Sequence, residues 1–67
     1  MNVRKLRAKM VENAVSVEML SNLIGTSKST FYRKLTNKGE DFTVGEANAI
    51  ARALALSAEE FTAIFFA

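Results

Sequence analysis

Within the seven residues from Ser27 to Arg33 lie three aliphatic hydroxyls (Ser27, Ser29, Thr30), one ammonium (Lys28), one phenol (Tyr32) and one guanidinium (Arg33). This is a recognition set rather than a catalytic one. Hydroxyls donate and accept, the ammonium only donates, and the guanidinium donates in a rigid fork that matches paired acceptors. Base edges in the DNA major groove and phosphate oxygens present those complements. At 100° per residue, Phe31 and Leu35 share one face of a helix, Ser29, Thr30 and Arg33 lie roughly opposite, and Lys28 and Tyr32 flank the boundary. Serine and threonine are weaker helix formers than Ala, Glu or Gln. Three hydroxyls in four residues therefore call for a reason beyond propensity, and capping accounts for one of them.

The elements that position this set are legible on either side. Gly25 fits as the left-handed stop of a helix ending at Ile24, and Ser27 as the cap of a new helix running from Lys28 to about Leu35. A short glycine-bearing link between two helices is the form of a helix-turn-helix. Upstream, Val3, Leu6, Met10 and Ala14 recur at spacings of three and four, predicting an amphipathic first helix over residues 2–14 with Arg4, Lys5, Lys9 and Glu12 on its other faces. Ser16 caps the second helix, with Glu18 near its positive end and Val15 and Leu20 at staple positions. Residues 36–41 (Thr-Asn-Lys-Gly-Glu-Asp) read as a loop. Thr43 and Glu46 have capping-box spacing ahead of the stripe Ala47, Ile50, Ala51 and Leu54, the fourth helix. Ser57 and Glu60 repeat that spacing, with Leu56 and Phe61 as a staple. The fifth helix is expected to bury Phe61, Ile64 and Phe65, with Phe66 off that stripe.

Composition narrows the possibilities. A chain of 67 residues is read as a single domain, residues 1–67, with no room for a deep enzyme cleft. It has no Cys and no His, which removes disulfides, thiol chemistry, the usual zinc ligands and the commonest general base. No catalytic residue, metal site, cofactor or small-molecule ligand is expected. Glu59 and Glu60 are adjacent rather than helically paired and read as helix caps. No segment reaches 18 consecutive apolar residues, and the start of the chain is a basic amphipathic stretch, so the expected setting is cytoplasmic, without membrane association. Charge is lopsided. Residues 1–38 hold eight Lys/Arg against Glu12 and Glu18, a net of +6, whereas residues 39–67 hold Arg52 against five acids, a net of −4. One half suits a polyanion and the other solvent or a partner.

The chain resembles the lambda-repressor-like family, the Cro and C1 type of helix-turn-helix, and in particular short phage or prophage regulators. The resemblance rests on Leu23-Ile24-Gly25, on the run from Ser27 to Leu35, on the segment 41–46 (Asp-Phe-Thr-Val-Gly-Glu) and on Ile64-Phe65-Phe66. It implies a compact all-α domain of five helices, with the helix-turn-helix at helices two and three, the third entering the major groove and the second bracing across the backbone. Three positions depart from the family pattern. Ser21 replaces a common small apolar residue, Thr26 replaces an aliphatic one, and Lys34 stands where an apolar residue is usual, which leaves the rotation of the third helix open by about one residue. The implied function is a sequence-specific transcriptional regulator of double-stranded DNA. Lys28, Ser29, Thr30, Tyr32 and Arg33 are the candidate base contacts, and Ser27, Asn37 and Lys38 the candidate backbone contacts. Arg33 has two readings, a bidentate contact to guanine or a phosphate contact. Arg4, Lys5, Arg7 and Lys9 either track phosphate or are simply solvated. A homodimer is expected, either preformed or completed on DNA, with Phe66 as a candidate contact. The alternative is a helical protein-interaction module that does not itself read DNA, in which the charged face of the third helix would be dispensable.

Overall fold

Each helix of the structure begins where a short polar side chain can satisfy an orphaned backbone N–H. The computed structural model describes residues 1–37 and 42–67. Among them are five helices: α1 (Val3–Glu12), α2 (Val17–Leu23), α3 (Lys28–Thr36), α4 (Val44–Ala53) and α5 (Ala58–Phe65). Asn2, Ser16, Ser27, Thr43 and Ser57 are their N-caps, all with extended backbone, and each side chain accepts from the backbone N–H three residues on. A cap of this kind is worth about 1 kcal/mol. Thr43 and Ser57 belong to full capping boxes. Glu46 accepts the Thr43 N–H at 2.9 Å and Glu60 accepts the Ser57 N–H at 2.9 Å. Asn2 is a cap rather than the first helical residue. Of the expected loop after α3, Thr36 is helical, and residues 38–41, Lys38 among them, lie outside the described residues.

Helix ends follow one rule in three places. Past α2, Gly25 has φ 75°, its N–H reaches the Asn22 carbonyl at 3.2 Å, and the Thr26 N–H reaches the Ser21 carbonyl at 2.8 Å. The same paired bonds close α1 at Ala14 (φ 54°) and α4 at Ala55 (φ 51°), where the following residues, Val15 and Leu56, donate to Met10 and Ala51. These are Schellman motifs. The first helix therefore stops at Glu12, two residues short of the periodicity's reading, and Ala14 is not on its apolar stripe. Val15 and Leu56 both pack against the core, and that anchorage holds alanine in a conformation it disfavours by about 1–2 kcal/mol.

The core is built from Leu6 and Met10 of α1, Leu20 of α2, Phe31 and Leu35 of α3, Ala47 and Ile50 of α4 with Leu54 just past its end, and Ile64 of α5. Ser21 is buried with them. Its hydroxyl donates to the carbonyls of Val17 and Glu18, so a polar atom is buried without an unmet bond. α2 packs on α3 and α4, and α1 packs on α5. The chain start is clasped to the far end by the Asn2 N–H, which reaches the Ile64 carbonyl at 2.6 Å.

α5 corrects one expectation. Ile64 is buried, but Phe61 and Phe65 are only half-buried, and Phe66 is the C-cap and exposed. Phe65 packs against the edge of the core, and the rings also meet each other: Phe61 lies 4.9 Å from Phe65 and 6.0 Å from Phe66, centroid to centroid. Helical period identifies a face; how deeply that face is covered depends on the neighbouring helices.

Lys9 joins α1 to α5 through an ion pair with Glu60 and also meets Glu12 at 3.2 Å. Hydrogen bonds from Lys9 and then from the Ser57 N–H draw the Glu60 carboxyl from the ordinary 4.5 down to about 2, and Lys9 is correspondingly raised. As pH falls, the unfolded chain takes up this proton before the folded one. The stabilisation from Glu60 is thus present above about pH 4.5 and is lost toward about pH 2. Glu60→Gln keeps an acceptor for the Ser57 N–H, so the gap in melting temperature between it and wild type is expected to narrow as pH drops through that window. A gap constant with pH would contradict this role. A second expectation comes from the strained caps. Ala14→Gly and Ala55→Gly should each raise the unfolding free energy by about 0.5–1 kcal/mol in denaturant titrations, since glycine relieves the left-handed strain at a smaller entropic cost. Loss of stability in both would refute the strain.

Candidate nucleic-acid interface

The turn between α2 and α3 sets the direction in which α3 leaves the core. A Cβ placed on Gly25 would meet nothing within 4 Å, so glycine is required there by its positive φ and not by crowding. Ile24 packs against the core and Ser27 restarts the chain as a helix, making the link a rigid four-residue corner.

From that corner α3 turns Phe31 and Leu35 inward, with 0% and 4% exposure. Lys28, Ser29, Tyr32, Arg33, Thr36 and Asn37 are exposed, and Thr30 is half-buried at the edge of that face. Of the five candidate base contacts, Ser29, Thr30 and Arg33 lie on or beside the face opposite Phe31 and Leu35, Lys28 and Tyr32 are exposed at its boundary, and the structure brings Ser27 to the N-terminal end of the helix and Asn37 to its C-terminal end. Lys28 and Arg33 form no ion pair among the described residues, leaving two uncompensated cationic donors on α3.

The hydroxyls are not equivalent. Ser27 Oγ accepts the Thr30 N–H at 3.1 Å and donates to Thr30 Oγ1 at 2.9 Å, so it is committed to the cap. Thr30, accepting from Ser27, keeps its own proton for an outside acceptor. The Ser29 hydroxyl makes no hydrogen bond with another described residue. Thr36, an outward residue that the sequence pattern does not single out, donates its hydroxyl to the Tyr32 carbonyl at 2.9 Å.

The basic half of the chain is partly neutralised from within. Lys9 is spent on Glu60 and Glu12, and Lys34 on Glu46, where Nζ lies 2.9 and 3.0 Å from the two carboxylate oxygens. The Thr43 N–H first and Lys34 second hold the Glu46 carboxyl below its ordinary range, which keeps it ionised. Lys34 thereby resolves the rotation of α3: it faces α4, and Arg33 points away from the core. Arg4, Lys5 and Arg7 are exposed on α1 but diverge. Arg7 lines a shallow groove with Val11, Val15, Val17 and Tyr32, beside α3, whereas Lys5 lines another with Ala8, Glu59 and Ala63, beside α5. Arg7 of that cluster is brought beside Tyr32 of α3.

The arrangement is therefore a polar, cationic helix face at a molecular edge, held by a rigid corner and carried on a closed core. Residues 5–64 match the family model described as Cro/C1-type HTH DNA-binding domain, which takes in α2, α3 and α4 whole and all but the first two residues of α1 and the last of α5. Neither the curated proteins nor the solved structures give a match to the chain.

Proposed function

The chain belongs to the Cro/C1-type helix-turn-helix DNA-binding domains, and on that premise we propose that it is a sequence-specific regulator of double-stranded DNA of the phage repressor or Cro kind. In this reading residues 1–67 act as one domain in the cytoplasm, without catalysis, and α3 lies in the major groove over residues 28–35. The observation that carries it is the polar surface of α3, where Arg33 stands exposed opposite Phe31 and Leu35 and Lys28 stands exposed at the boundary of that face, both unpaired among the described residues. A solvated structural helix gains from Arg33 in its last turn but not from Lys28 at its positive end. A helix facing base acceptors and phosphates gains from both.

Roles follow from position. Arg33, at the centre of the face, is the candidate for bidentate contact with a guanine edge. Lys28, Ser29, Thr30 and Tyr32 surround it as further base contacts. Asn37 and Lys38, after the helix, are assigned to phosphates, as is Ser27 at its start, through its backbone N–H since its hydroxyl is committed to the cap, and Arg7 joins them from the α1 side. Arg33→Ala should weaken the preferred duplex by about 1–3 kcal/mol and relax selection at one base pair. Lys38→Ala should weaken all duplexes alike and lower the salt slope by about 1. Equal, sequence-independent losses from both changes, read by fluorescence anisotropy across a salt series, would reduce Arg33 to a phosphate contact. If alanine at both Lys28 and Arg33 left the biological activity intact, the protein-interaction reading would replace this one.

One short helix contacts few base pairs, and a single module buries on the order of 600–1,000 Å² on DNA, too little for strong discrimination. A two-fold dimer would set two α3 helices about 34 Å apart, on half-sites centred about 10 base pairs from each other. The support for a second copy is the aromatic end of α5, where Phe66 is 74% exposed beside the half-buried Phe61 and Phe65. Phe66→Ser is expected to reduce self-association in sedimentation, or cooperativity in band shifts on a duplex with two half-sites, while circular dichroism stays unchanged. Unaltered values in both assays would remove Phe66 from the interface.

A further inference from the structure

Phe31 and Leu35 hold α3 to the core along a single line, because residues four apart stack one above the other on a helix. Two anchors on one line stop a helix from sliding, but they leave it free to roll about that line. Roll matters at a reading surface. A rotation of about 10° moves a side-chain tip ~6 Å from the helix axis by roughly 1 Å, enough to spoil a bidentate hydrogen bond.

A third restraint is present, and it lies off the line. Lys34, one residue round from Leu35 and adjacent to Arg33, reaches across to α4, where both oxygens of Glu46 take its ammonium at 2.9 and 3.0 Å. The pair is substantially sheltered, with side-chain exposures of 13% and 19%. Glu46 is itself fixed, since its Oε1 also accepts the Thr43 N–H and its own N–H bonds Thr43 Oγ1. Phe42 completes the contact. Its ring lies 5.4 Å from that of Phe31 at 65°, edge to face, and 5.6 Å from Lys34 Nζ. One cation on α3 is thus gripped by a carboxylate locked into the cap of α4 and by a ring wedged against α3's own buried phenylalanine.

We propose that Lys34, Glu46 and Phe42 form a positioning clamp that sets the roll of α3, and so governs discrimination between DNA sequences without touching DNA. The inference rests on the reading of α3 as the recognition helix. Lys34 is a positioning residue here, although its charge and its neighbour Arg33 would make it look like one more phosphate contact.

Two substitutions separate these roles because they change net charge in opposite directions. Lys34→Met keeps the alkyl length and removes a positive charge. Glu46→Gln keeps an acceptor for the Thr43 N–H and removes a negative one. Equilibrium affinities of wild type and both variants are measured for the duplex preferred by wild type and for a scrambled duplex of equal length, over a salt series, with folding checked by circular dichroism. The clamp predicts that the ratio of preferred to scrambled affinity falls about 3- to 10-fold in both variants. It also predicts that Lys34→Met/Glu46→Gln is no worse than the poorer single change. A phosphate role for Lys34 predicts instead that Lys34→Met weakens both duplexes equally and that Glu46→Gln tightens both, with the ratio unchanged; that result overturns the clamp. Should Lys34→Met fail to fold, Glu46→Gln alone decides, since a preserved ratio refutes the proposal. A wild-type chain that prefers no duplex would overturn the recognition reading itself, whereas a discriminating wild type with equally discriminating variants overturns the clamp alone.

Discussion

The structure depends on the burial of Phe31 and Leu35. These two side chains draw α3 against the core, contributing about 2–3 kcal/mol each by transfer from water, and they leave its opposite face to solvent. Everything polar on that face is presented because everything apolar on the other is taken. In a chain of 67 residues with so few fully buried side chains, one helix serves both as a wall of the core and as the exposed polar surface proposed to read DNA. Changes on its outer face are therefore separable from stability, and changes on its inner face are not.

Much of this was legible in the sequence because the signals are local. Ser16, Ser27, Thr43 and Ser57 announce helix starts by chemistry acting over three residues, and Gly25 announces a stop because glycine alone takes a left-handed φ without strain. The inward pair on α3 follows from a period of 3.6. The stops at Ala14 and Ala55 were not legible: alanine is the best helix former, and only the anchorage of Val15 and Leu56 in the core turns it left-handed. The depth of Phe61 and Phe65 was misjudged for a related reason, since periodicity names a face without naming what covers it.

Charge shows the same boundary between local and tertiary information. A count along the chain makes the first half strongly basic, yet Lys9 and Lys34 are turned inward to Glu60 and Glu46 and offer little to a polyanion. Lys9–Glu60 joins the first and fifth helices and Lys34–Glu46 two consecutive ones, so neither follows from spacing within one helix. Exposed on or beside α3 is a smaller set: Lys28 and Arg33, with Arg7 at its flank. The sheltered pair with Glu46 also gives Lys34, one of the three departures from the family pattern, a structural role.

The most direct test of the central claim is selection of bound molecules from a random duplex pool at moderate salt. The account predicts enrichment of a pseudo-palindrome whose half-sites are centred about 10 base pairs apart, each with a dominant guanine that loses its preference when Arg33 is replaced by alanine. A pool that emerges without enrichment, or a motif unaffected by replacing Arg33 and Lys28 together, would contradict the assignment of α3 as the reading element.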